Sequence, residues 1–142
     1  EPIVPEQGST DKTLSSLSKV LTELAKDVQF AHATKSPTAK SNTAIQKIVT
    51  FLQEHDEIKK VVIIGHTDSV GLANRNLFLS KRRADILRDL IVERGIVQTR
   101  IETEGKGASE PVATNDTKKG RSQNRRIVIK VTKLDTSVVQ SD

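Results

Sequence analysis

The residues best suited to chemistry lie in one stretch: Gly65-His66-Thr67-Asp68-Ser69, then Gly71, Asn76 and Leu79-Ser80-Lys81-Arg82-Arg83-Ala84. With residues spaced about 100° apart around a helix axis, Leu79, Ala84, Ile86, Leu87, Leu90 and Ile91 form an apolar stripe. Arg83 falls inside that stripe, while Lys81, Asp85, Arg88 and Asp89 fall opposite it. A guanidinium stays charged at ordinary pH, so one aimed toward a core requires an anion. Asp68 can supply it, and so can the carboxylate of a ligand. Two readings stay open: a salt bridge that ties loop to helix, or an acid and a base held apart to receive a ligand bearing both charges. His66 and Asp68, two apart at a strand end, can also point the same way toward a metal ion. However, His32 and His55 fall in unrelated segments and no third ligand is spaced to join them. With no Cys and no Gly-x-Ser-x-Gly elbow, neither a thiol nor a serine nucleophile has a carrier. No catalytic residue, cofactor or metal is assigned, and the chain is not read as an enzyme.

The elements around that stretch are legible from periodicity. Val61-Val62-Ile63-Ile64 is a short, buried β-branched run that stops at Gly65, so the motif reads strand, loop, helix, with Arg83 in the helix's first turn. Leu14, Leu17, Leu21 and Leu24 predict an amphipathic helix over residues 11–27, preceded by a Pro- and Gly-containing linker at residues 1–10. Val28-Gln29-Phe30 is a strand candidate. Ala44, Ile45, Ile48, Val49 and Leu52 predict a helix over residues 41–55, capped by Ser41 or Asn42. Gly95 ends the following helix, residues 100–104 alternate as a strand, and residues 105–124 read as a long polar loop. Ile127, Ile129 and Val131 mark one face of a last strand over residues 126–132. Residues 134–142 read as a flexible tail, which leaves one domain over residues 28–133.

The chain of 142 residues suffices for one domain with a real core. It contains no Met, so it is expected to be part of a longer product, and no apolar run approaches the roughly 20 residues that cross a bilayer. Membrane attachment is therefore expected only through an upstream segment. The net charge of +5 is uneven: residues 1–57 carry −2 and residues 58–142 carry +7. The acid-free run from Thr117 to Leu134, with seven Lys and Arg, raises nucleic-acid binding as a class. Three Phe and no Tyr or Trp leave no stacking platforms, so nucleic acid is not expected as a partner.

Taken together, Gly65-His66-Thr67-Asp68-Ser69, Gly71, Asn76, Leu79-Ser80, Arg83-Ala84, Gly105, Gly107, Pro111, Asn115, Thr117, Gly120-Arg121 and Asn124-Arg125-Arg126 resemble the OmpA-like peptidoglycan-binding domain over roughly residues 28–132. The resemblance implies an α/β (α+β) fold: a β-α-β-α-β-β mixed sheet with helices packed on one face, here with an extra N-terminal helix. It also implies a ligand, the meso-diaminopimelate of the peptidoglycan stem peptide, whose side-chain end carries an ammonium and a carboxylate on one carbon. By the family's pattern Asp68 takes the ammonium, Arg83 takes the carboxylate, and Asn76, Thr67, Ser69 and Leu79 line the pocket, with Asn124 and Arg125 at its border. Leu79 reads mainly as core, and Asn76 reads also as a helix cap. The implied setting is the periplasm of a Gram-negative envelope, tethered to the outer rather than the inner membrane, with other envelope or secretion proteins as further partners. Related domains commonly carry Asp after the Phe at position 30 and a further polar residue soon afterwards, where this chain has Ala31 and Ala33. That departure supports an alternative: a diverged domain acting chiefly as a protein-interaction module, with weak or no peptidoglycan binding.

Overall fold

The computed structural model describes residues 3–28 and 38–135. Helix α1 spans Ile3–Ala25, so residues 3–10 are helical rather than a linker. Pro5 does not prevent this because it falls in the first turn, where a backbone N–H has no acceptor within the helix. Leu21 and Ala25 are fully buried, with Leu14, Leu17 and Leu24 packed beside them. The strand expected at residues 28–30 begins at Val28, which is buried but not in a strand; Gln29, Phe30, Ala31 and Ala33 lie outside the described residues.

Helix α2 spans Ala39–Glu54 and buries Ala44, Ile45, Ile48, Val49 and Leu52, as the periodicity predicts. Its cap is Thr38, whose hydroxyl accepts the Ser41 N–H at 3.1 Å. Ser41, the expected cap, is instead buried, and its Oγ donates to the Asp27 carbonyl. Strand β1 (Ile58–His66) leads into helix α3 (Ala73–Glu93), and a 3-10 turn at Gln98–Arg100 precedes strand β2 (Ile101–Gly107). The polar segment after β2 contains a short helix, α4 (Lys118–Asn124), before strand β3 (Arg126–Leu134). Among the described residues the sheet has the order β2-β1-β3, with β1 parallel to β2 and antiparallel to β3. The result is a mixed sheet with helices packed alongside and an N-terminal helix, as expected.

Two contacts fix the layers. Helix α1 lies on β3, where the Thr22 hydroxyl donates to the Ile129 carbonyl and accepts the Ile129 N–H, and Ser18 Oγ accepts the Val131 N–H at 2.8 Å. These N–H groups of a sheet-edge strand are satisfied by side chains rather than by another strand. Helix α3 approaches the opposite side of β1 so closely that backbones meet. A Cβ on Gly65 would collide with the Ser80 carbonyl, and one on Gly105 would lie 2.7 Å from Ser80 Oγ. Ser80 is itself fully buried, donating to the Leu77 carbonyl and accepting the Gly107 N–H. Gly95 adopts a positive φ of 109° directly after α3, as a residue closing a helix does. Because backbone cannot yield as a side chain can, Gly65→Ala should cost about 2 kcal/mol or more in urea unfolding. An equal-stability variant would show that the contact is not tight.

Candidate functional site

The site is built where β1 runs out. The Thr67 N–H still bonds the Gly107 carbonyl at 2.9 Å, continuing the ladder by one residue, and the chain then turns. Asp68 Oδ1 accepts the Val70 N–H at 3.0 Å, a side-chain-to-backbone bond that shapes the turn. Thr67 Oγ1 donates to the Asp68 carbonyl, and Asn76 Nδ2 reaches back from α3 to the carbonyls of Asp68 and Val70. Asn76 is therefore not a cap: it lies inside α3, buried, and its amide holds the preceding loop.

Asp68 and Arg83 both line a cavity of about 650 Å³, together with Thr67, Val70, Gly71, Leu72, Arg75, Asn76, Leu79, Arg121 and Arg125. The two do not form a salt bridge. Asp68 Oδ2 pairs instead with Arg125 Nη1 at 2.6 Å. Arg83 is half-buried and makes no hydrogen bond or ion pair with another described residue. Burial and the neighbouring Arg125 lower its pKa, opposed by the field of Asp68; the group remains a cation. Arg83 stands at the midpoint of α3 rather than in its first turn, because the helix begins at Ala73. Periodicity misplaced that start because the first two buried positions of α3, Asn76 and Ser80, are polar.

Of the residues expected at the site, Asp68, Arg83, Asn76, Thr67, Leu79 and Arg125 line this cavity, while Ser69 and Asn124 do not. Ser69 is exposed, and its N–H donates to Asn115 Oδ1. Asn124 is fully buried: its Oδ1 accepts the N–H groups of Val112 and Ala113, and its Nδ2 donates to the Ala113 carbonyl and to Asn115 Oδ1. All its hydrogen-bonding atoms hold the 112–115 loop, so Asn124→Ala should cost about 2–3 kcal/mol in thermal or urea unfolding. Sequence reasoning missed Val70, Leu72, Arg75 and Arg121 as lining residues. A signal was present, since Leu72, Arg75, Leu79 and Arg83 recur at helical spacing along one side of α3.

Behind this cavity lies a second, of about 810 Å³, whose lining includes Lys26, His66, Arg83, Arg125 and Arg126. Arg83 and Arg125 line both. His66 is 4% exposed, and its Nδ1 has no hydrogen-bond partner. Burial, reinforced by the positive charge of Arg126, lowers its pKa from 6.5 to about 4. Among the described residues, no three His, Asp or Glu side chains gather as metal ligands. The unfolded chain protonates His66 near pH 6.5, whereas the folded one resists until about pH 4. Its contribution to stability is therefore complete above the first value and declines as pH falls between the two. His66→Gln should remove that part of the acid sensitivity, on the order of 3 kcal/mol at the acid end, in denaturant titrations at several pH values.

The central strand of a mixed sheet thus ends at a guanidinium-lined cavity with one acid in its wall. The family model for the OmpA family matches residues 29–125, and the chain belongs to that family. It is 32% identical over 130 residues to the probable lipoprotein YiaD of Escherichia coli, an alignment that covers 90% of this chain and 58% of that protein. The chain spans less than two thirds of the length of that relative and of outer membrane protein A from Bordetella avium, where the match covers 39%. Among solved structures, the cell wall anchor of the T6SS from Pseudomonas aeruginosa superposes with a TM-score of 0.64 at 32% identity, covering 73% of this chain and 74% of that one. The peptidoglycan-associated lipoprotein from Burkholderia pseudomallei gives 0.65 at 26% identity, covering 72% and 86%. No described helix is long and apolar enough to cross a membrane.

Proposed function

We propose that this domain anchors an envelope protein to the cell wall, in the periplasm and tethered to the outer membrane by a segment outside this sequence, by non-covalent binding of the meso-diaminopimelate head group in peptidoglycan stem peptides. The observation that carries this reading is the unpaired Arg83 facing a cavity that it shares with Asp68. In this reading the planar fork of Arg83 takes the ligand carboxylate through two parallel charge-assisted bonds. Asp68 takes the ammonium. Its two oxygens each hold one partner, and a carboxylate can accept about four hydrogen bonds, so capacity remains. Arg125, half exposed, is free to yield part of its hold on Asp68. Thr67 and Asn76 act by fixing the turn that presents the carboxylate, and Leu79 supplies an apolar wall for the ligand's methylenes.

The relatives' names support the same reading: one solved neighbour is a cell wall anchor and another a peptidoglycan-associated lipoprotein. A single amino-acid head group offers few contacts, so affinity for a soluble peptide is modest and salt-sensitive, and retention on the wall comes from many sites on one polymer. A second reading, a module acting mainly through contacts with envelope or secretion proteins, is favoured by Leu77 and Phe78, which stand 50% and 67% exposed on α3. Calorimetry with L-alanyl-γ-D-glutamyl-meso-diaminopimelate tests the site. Asp68→Asn, which keeps an acceptor for the Val70 N–H, and Arg83→Gln should each weaken binding about tenfold or more. Equal affinities in all three proteins would overturn the assignment. Retention on isolated sacculi that disappears with Arg83→Gln favours anchoring, whereas no retention by the wild type favours the interaction module.

A further inference from the structure

The cavity carries more positive charge than the proposed head group can balance. Its lining holds four guanidinium groups, Arg75, Arg83, Arg121 and Arg125, against the single carboxylate of Asp68. That carboxylate is already engaged by Arg125. A carbon bearing one ammonium and one carboxylate adds no net charge, so its arrival leaves the excess in place. Two of the cations have no carboxylate partner among the described residues. Arg121, on α4, donates Nη1 to the Asn115 carbonyl at 2.9 Å and makes no ion pair with a described acid. Arg75, exposed in the first turn of α3, makes no hydrogen bond or ion pair. Beside Arg75, Val70 and Leu72 line the same cavity with 63% and 75% of their surface exposed. The lining thus combines two cations without an anion and two apolar side chains without a cover, a composition that fits an aliphatic chain carrying a further carboxylate.

Building on the head-group reading above, we propose that Arg75 and Arg121 form a second carboxylate subsite. The domain then recognises the stem peptide as a multiply charged acid. The diaminopimelate head group lies between Asp68 and Arg83, a main-chain carboxylate of the same peptide lies at Arg75 and Arg121, and Val70 and Leu72 cover the methylenes between. Amidation of that carboxylate removes the charge and turns two acceptor oxygens into one acceptor and one donor, which a guanidinium pair cannot satisfy. The site therefore discriminates free-acid stem peptides from amidated ones.

Two synthetic probes test this in calorimetry: the free-acid tripeptide L-alanyl-γ-D-glutamyl-meso-diaminopimelate, and the same peptide with its glutamyl α-carboxylate and its diaminopimelate main-chain carboxylate amidated. The wild type should bind the free acid about fivefold to tenfold tighter than the amide. Arg75→Gln, at an exposed position without partners, should bring that ratio to within about twofold of unity while leaving affinity for the amide nearly unchanged. Arg121→Gln should act in the same direction, and Arg82→Gln, on the same helix but outside the cavity, should leave the ratio as it is. A wild-type ratio of one, or a ratio that survives Arg75→Gln, overturns the second subsite. The two readings fail separately. If Arg83→Gln still binds both probes as the wild type does, the head-group site itself is wrong; if it loses both while the ratio is one, only the second subsite falls.

Discussion

The structure depends on a backbone contact. Helix α3 rests on β1 and β2 at Gly65 and Gly105, with Ser80 wedged between them and bonded to Gly107. Nothing larger than hydrogen fits at either glycine, so the height and rotation of α3 over the sheet are set by main chain rather than by flexible side chains. The positions of Arg83 and Asp68 then follow by counting. Arg83 follows Ser80 by three residues and stands over the end of β1, where Asp68 leaves the strand two residues beyond the last paired position, His66. Leu79 and Asn76, one residue and one turn before Ser80, complete the same wall.

On this rigid frame the electrostatics are deliberately incomplete. Arg125 pairs with Asp68 and so removes the obvious partner from Arg83, which sits half-buried with its pKa lowered by burial and by Arg125 itself. A buried cation without an anion is costly, and the fold tolerates it in a cavity open to water, where solvent screens part of the charge. The cost lies in a region whose backbone is over-determined. Asp68, Thr67 and Asn76 all bond the turn, and Asn124 holds the neighbouring 112–115 loop with both polar atoms of its side chain.

Much of this was legible in the sequence because the relevant signals are local. A glycine ending a β-branched run, an arginine inside an apolar stripe and the 3.6-residue pattern of α2 each report a position directly. What failed did so for definite reasons. The start of α3 was obscured by Asn76 and Ser80, buried polar residues that interrupt the apolar rhythm. Helix α4 was hidden in a segment with no apolar face to reveal it, since its buried positions are Gly120 and Asn124. The assignment of Asp68 to Arg125 rather than Arg83 joins residues 57 apart in sequence, and no periodicity carries information across that distance. Ser69 and Asn124 lie outside the cavity lining: Asn115 Oδ1 accepts the Ser69 backbone N–H, and the Asn124 side chain holds the 112–115 loop.

Both edges of the sheet formed by the described residues carry features that discourage pairing with other strands. On β3, hydroxyls of Ser18 and Thr22 occupy backbone groups at Val131 and Ile129 that would otherwise present a template. On β2, Glu102, Glu104 and Lys106 alternate along the strand, with Lys60 bonded to Glu102 and Lys106 near Glu104 and Glu110. Those surface pairs contribute little to stability individually; charged side chains along an edge strand discourage association through the main chain. Among the described residues, both edge strands are thus either occupied by hydroxyls or lined with charge.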